Sequence, residues 1–96
     1  MYYVYILESL SVDRFYIGVT NNLKKRFYEH NNKLSRSTAP FTPYVLKRVE
    51  RYEDIKIAYH RERFLKSKKS RKVIESIIRS SPDVLAEQEV GIPIAR

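Results

Sequence analysis

Residues 2–8, YYVYILE, alternate between two largely apolar faces, with Tyr3, Tyr5 and Leu7 on one and Tyr2, Val4, Ile6 and Glu8 on the other. β-Branched and aromatic side chains suit a pleated surface, and the run has no Gly or Pro, so it predicts a strand. A strand apolar on both faces belongs in the middle of a sheet, with material packed above and below it. That requirement organises the rest of the chain. Residues 9–14 hold polar turn material, and residues 15–19 return to strand chemistry, which predicts a hairpin. Gly18, near the end of the second run, points to a close backbone approach or a bend.

Thr20 and Asn21 are suited to cap a helix over about 21–31. On it Leu23 and Phe27 form one stripe at i, i+4, and Arg26 and His30 form a neighbouring stripe at the same spacing. The pair Asn31-Asn32 is a natural stop. Residues 32–43, NKLSRSTAPFTP, read as a loop long enough to be functional or mobile. A third strand follows over 44–52. Glu53 and Asp54 open another helix at its positive end. There Ile57, Ala58, Arg61, Phe64 and Leu65 cluster, with Glu62 at the border of the apolar sector and His60 on the surface. The run 66–72, KSKKSRK, leads into a short amphipathic helix from about Ser70 to Pro82, carrying Val73, Ile74, Ile77 and Ile78. The expected organisation is one domain over 1–81 and a loosely packed tail over 82–96, with a helical turn near 83–89.

The formal charge is +8, from 19 Lys and Arg against 11 Asp and Glu. Residues 82–96 carry Arg96 against Asp83, Glu87 and Glu89, or −2, which leaves +10 on residues 1–81. A body that basic attracts polyanions. The chain has no cysteine, so neither disulfides nor a cysteine-ligated zinc can hold it together. No apolar run reaches membrane-span length, and MYYVYILE lacks a basic n-region and a cleavage site. A cytoplasmic protein is the expectation.

Each chemistry-bearing residue has a plain reading beside the functional one. Tyr5 and Tyr16 pack well on strands regardless of chemistry, whereas a phenol surrounded by cations can be drawn toward ionisation. Arg26 and His30 fit a solvated helix face, and equally a shared anionic ligand, Arg by its planar fork and His by a hydrogen bond or a proton. Glu62 can pair with Arg61, Arg63 or Lys66. It can also ligate Mg²⁺, which keeps several waters and often takes only one or two protein carboxylates. Lys33, Arg36, Lys66, Lys68 and Lys69 can be merely solvated or can track a phosphate backbone.

In this order and spacing the residues resemble the GIY-YIG nuclease superfamily, over about residues 2–72. The first motif appears as Tyr3-Val4-Tyr5, with Gly-Ile replaced and the tyrosine kept, and the second is intact as Tyr16-Ile17-Gly18. Arg26 matches the family arginine on the first helix, His30 the His or Tyr four residues on, and Glu62 the metal-binding Glu. The pattern is most similar to the small stand-alone bacterial members. Larger relatives join the module to DNA-binding or DNA repair domains. The resemblance implies an α/β sandwich in which helices flank a three-stranded antiparallel sheet. It also implies hydrolysis of DNA phosphodiesters with Mg²⁺ or Mn²⁺. Tyr5 or Tyr16 would orient or activate water, Arg26 would hold the phosphate, His30 would assist proton transfer or phosphate binding, and Glu62 would hold the metal. Val19 stands where some members carry Lys, so that cation would be missing or supplied elsewhere, as by Lys66 or Lys68. Without a DNA-reading domain the substrate would be weakly specified or branched or single-stranded DNA, and a protein partner could supply specificity. The alternatives are a non-catalytic nucleic-acid-binding module and an interaction protein using the surface of 73–96. Retention of all five polar residues favours catalysis.

Overall fold

The central strand is β1 (Tyr2–Ser9), flanked by β2 (Phe15–Thr20) and β3 (Tyr44–Tyr52) in an antiparallel sheet of order β2-β1-β3. The computed structural model describes residues 1–80 and 87–95. Ser9 shapes the hairpin turn, because its Oγ accepts from the Ser11 and Val12 amides while its own N–H donates to the Arg14 carbonyl. Helix α1 (Leu23–Asn31) begins one residue later than Asn21 allows. Asn22 is the cap, with Oδ1 accepting from the Lys25 amide at 3.2 Å. Asn31 then uses its amide as a substitute strand partner, holding the Tyr44 N–H and C=O at 2.6 and 3.1 Å. The end of α1 is thereby fixed to the start of β3.

Alternation along β1 sends side chains into two cores. Tyr5 and Leu7 pack with Leu23 of α1 and with Tyr44, Leu46 and Val49 of β3. Val4 and Ile6 pack with Ile17, with Ala58 and Leu65 of α2 (Ile55–Ser67), and with Ile74 of α3 (Arg71–Arg79). Each fully buried apolar side chain in these layers contributes about 1.5–3 kcal/mol. A bulge in β3 decides which residues reach which layer. Ile6 opposes Arg48 while Leu7 opposes Leu46, so Lys47 is the extra residue. Leu46 and Val49 therefore share the α1 face despite odd spacing, and Arg48 and Glu50 are turned into the α2 face.

Two expectations differ in detail. On α2, Ile57 and Phe64 are exposed, and the buried line runs through Ala58 and Leu65. For the segment 82–96, expected to be loosely packed, residues 82–86 lie outside the described residues. Residues 87–95 include a short helix α4 (Glu87–Val90), and Val90 and Ile92 are buried in the α1-side core. Ile94 bridges to Leu46 in parallel, with the Ala95 amide donating to the Leu46 carbonyl at 2.8 Å. Among the described residues no helix is long and apolar enough to cross a membrane.

Candidate active site

Register brings the two motif tyrosines together. Tyr5 opposes Gly18 and Leu7 opposes Tyr16, so both phenols stand on the α1 face. The Tyr5 ring lies across Gly18, where a Cβ would come within 2.4 Å of the Tyr5 hydroxyl oxygen. The glycine clears the path for the phenol. The expected bend or close approach is a close approach.

Leu23 and Phe27 seat α1 against the sheet, which turns the Arg26–His30 stripe toward the tyrosines. His30 is fully buried. Its ring lies 4.8 Å from that of Tyr16, 5.8 Å from Tyr5 and 6.2 Å from Tyr44, centroid to centroid. Its Nε2 is 2.9 Å from the Tyr5 hydroxyl and its Nδ1 is 2.9 Å from the Thr38 hydroxyl. Burial, reinforced by the Arg26 charge and opposed by Glu29, lowers its pKa to about 4, so it is neutral at physiological pH. With both nitrogens used inside the protein, His30 has no surface on which to touch a phosphate.

Arg26 is one-third exposed. It donates to Glu29 Oε1 at 3.2 Å and to Ser35 Oγ at 3.3 Å, and its charge faces both phenols. The expected effect of cations on a tyrosine is reversed at Tyr5. Burial pushes that phenol up, assisted by Tyr16, by more than the adjacent Arg26 pulls it down. Tyr5 therefore stays protonated.

Glu62 stands apart from these four. Its helix packs on the opposite face of the sheet. Ala58 and Leu65 mark the inward line of α2, and at 100° per residue Arg61 and Glu62 flank that line on opposite sides. Arg61 reaches Glu50 on β3 at 2.8 and 3.0 Å. Glu62 therefore leans the other way, toward the β2 edge. Its side chain is 13% exposed, Lys66 Nζ lies 3.3 Å from one oxygen, and its charge adds to the upward push on the Tyr5 phenol. The expected single concave face is divided: Tyr5, Tyr16, Arg26 and His30 lie on the α1 face of the sheet, and Glu62 is carried by a helix packed on the other face.

A basic cleft of about 470 Å³ opens at the same edge. Tyr16 forms part of its wall, and Lys66, Lys68 and Lys69 line it with Arg14 and Arg71. Arg71 is already committed to Glu8, Asp13 and Glu75. Lys33 and Arg36 are exposed on the loop that carries Ser35, at the Arg26 end. Sequence reasoning missed Ser35, Thr38 and Tyr44. The loop's run of Ser and Thr was the only signal for the first two, and such runs usually mean solvated turns. Thr38 is instead buried, and Tyr44 Oη donates to its carbonyl at 3.3 Å.

The GIY-YIG catalytic domain matches residues 1–75 of the 96. This chain is a GIY-YIG protein. The family is one of nucleases, typically endonucleases, that generally use divalent metals. No curated protein and no solved structure matches the chain significantly. The donor type suits a hard cation: Glu62 offers carboxylate oxygens with little exposure. Among the described residues no cluster of three or more His, Asp or Glu side chains accompanies it. One carboxylate with waters is a coordination that Mg²⁺ accepts and a structural zinc does not.

Proposed function

We propose that this GIY-YIG protein is a metal-dependent endonuclease that hydrolyses DNA phosphodiesters. It would act with weak sequence preference or on branched or single-stranded DNA, in the cytoplasm, with any sharper specificity coming from a protein partner. The observation that supports the reading is a cleft walled by Tyr16 and lined by Lys66, Lys68 and Lys69, with Arg26 facing the Tyr16 phenol on the α1 face.

Each residue's part follows from its exposure. Arg26, one-third open, would hold the scissile phosphate by its fork while Glu29 and Ser35 keep the guanidinium oriented. Tyr16, on the cleft wall, is the phenol that water and substrate reach, and it would orient the attacking water. Tyr5 and His30, both buried, would brace Tyr16 and Arg26 from beneath. Lys66, Lys68 and Lys69 would carry flanking phosphates, with Lys33 and Arg36 reaching the strand from the Arg26 side. Glu62 would hold Mg²⁺ or Mn²⁺, which when bound supplies Lewis acidity toward the phosphate and the leaving oxygen. The rival reading, a nucleic-acid-binding module without catalysis, draws on the Glu62–Lys66 pair, which already engages one carboxylate oxygen.

The test is cleavage of single-stranded, duplex, flap and branched DNA with Mg²⁺, Mn²⁺ or EDTA, for wild type and Glu62→Gln. The endonuclease reading expects metal-dependent cleavage and a loss of at least about a hundredfold in the variant, at unchanged thermal stability. If Glu62 serves only its pair with Lys66, the change costs at most about 1 kcal/mol of stability and rates are equal.

A further inference from the structure

The buried hydrogen bonds beneath the site run in one direction, and that direction can be read from donor inventory alone. The Tyr5 hydroxyl is buried, lies 2.9 Å from His30 Nε2 and faces the Arg26 guanidinium on its other side. The Arg26 guanidinium can only donate, and although Tyr16 and Glu62 also act on the Tyr5 hydroxyl by charge, no hydrogen bond joins either of them to it among the described residues. The single phenol proton therefore goes to Nε2, because an unsatisfied buried hydroxyl would cost about 1–3 kcal/mol. A neutral imidazole that accepts at Nε2 carries its proton on Nδ1. That N–H donates to Thr38 Oγ1 at 2.9 Å, and the Thr38 hydroxyl in turn points at the Ser35 carbonyl at 3.4 Å. The opposite order, with Nε2–H donating to Tyr5, would leave the Tyr5 proton without an acceptor.

We propose that Thr38 is a positioning residue: its hydroxyl holds His30 in the Nδ1–H tautomer and so sets the orientation of Tyr5 and Arg26 from inside the protein. With the Tyr5 proton turned inward, the outward lone pair of its oxygen is left for the Arg26 guanidinium. The His30 ring, held on both nitrogens, fixes the surface on which Tyr16 packs. The same loop holds Arg26 through Ser35 Oγ. Residues 35–38 are therefore a support for the site and not a lid over it. Neutrality of His30 under burial and the Arg26 charge is consistent with this single-proton arrangement.

The activity part of the test rests on the endonuclease reading, and the spectroscopic part does not. Imidazole nitrogen chemical shifts in ¹⁵N-histidine-labelled protein distinguish a protonated Nδ1 from a protonated Nε2. Wild type should show His30 protonated at Nδ1. Thr38→Val should move the proton to Nε2 or mix the tautomers, and Thr38→Ser should restore the wild-type pattern. In cleavage assays at a temperature where all three are folded, Thr38→Val should lower kcat by about ten- to a hundredfold with KM little changed, and Ser should rescue it. Wild-type protein protonated at Nε2 overturns the proposal, as does a Val variant with wild-type shifts and kcat, or a Ser variant as impaired as Val. Wild-type protein that cleaves no DNA would sink the endonuclease reading alone, since the nitrogen shifts still decide the direction of the chain.

Discussion

A methyl group at position 18 would sit 2.4 Å from the Tyr5 hydroxyl oxygen and 2.6 Å from its Cζ. Neither atom can retreat cheaply, because the ring is wedged among buried residues and its hydroxyl is held by His30. Gly18→Ala should therefore cost roughly 1–3 kcal/mol through overpacking, and it should impair any activity by displacing Tyr5. Urea unfolding of the single variants and of Gly18→Ala/Tyr5→Leu gives the check. If the clash is the cause, the double variant loses clearly less than the sum of the singles. Additive losses would mean that the glycine is needed for its backbone. At this scale the residues divide by exposure: Tyr16 and Arg26 are partly open to solvent, while Tyr5 and His30 are buried beneath them.

Among the elements, β3 has a role that its sequence conceals. YVLKRVERY reads as an ordinary strand, yet its bulge places Arg48 and Glu50 in the core at 5% and 3% exposure. Glu50 there accepts from Arg48 at 2.7 Å, Tyr52 at 2.7 Å and Arg61 at 2.8 and 3.0 Å. Arg48 also donates to the Ser80 carbonyl, so one carboxylate joins β3, α2 and the end of α3. Replacing Glu50 by Ala leaves two guanidinium groups facing an empty anion site, one of them almost fully buried, and should cost about 3–5 kcal/mol. Denaturant unfolding measures it, and a loss under 1 kcal/mol would show that solvent reaches the cluster. The pair also fixes the roll of α2, because Arg61 bound on the β3 side is what turns Glu62 toward β2. Glu50→Ala should therefore weaken metal-dependent activity even at temperatures where the variant is folded.

For the whole molecule, acid is the sensitive variable. His30 titrates near 4 when folded, against an ordinary 6.5, so protons favour the unfolded chain between those values. Its contribution is complete above pH 6.5 and is lost as pH falls through 4, about 3 kcal/mol in all. At Glu50 burial alone would raise the pKa, but hydrogen bonds from Arg61, Tyr52 and Arg48 outweigh it and hold the carboxyl at about 2. That contribution is present above 4.5 and disappears as pH falls toward 2. Stability should thus fall in two steps on acidification, and His30→Gln should remove only the upper one. Urea titrations at pH 7.5, 5 and 3.5 test this. A chain ending at residue 86 should lose several kcal/mol, since it forfeits the burial of Val90 and Ile92. Its DNA binding at low salt should survive, because every Lys and Arg except Arg96 lies in residues 1–81. Binding by the full chain should weaken steeply with added salt through counterion release, and a flat response would argue against any nucleic-acid role.

The hairpin, the helix with Arg26 and His30 on one stripe, the β3 span and the start of α3 near Ser70 could be read directly from residue order, because they depend on local periodicity. Family membership was legible for the same reason: its motifs are short and sit on neighbouring elements. The tertiary structure decided what locality cannot reach. Whether Tyr5 is ionisable depended on how many atoms surround it, and burial outweighed the neighbouring cation. That Glu62 sits on the face of the sheet opposite Arg26 and His30 depended on the packing of α2, with Arg61 held on Glu50. The support given by Ser35 and Thr38, and the docking of Val90 and Ile92, join residues far apart in the chain. A sequence carries no periodicity for such contacts; they exist only once three strands and their helices have been brought together.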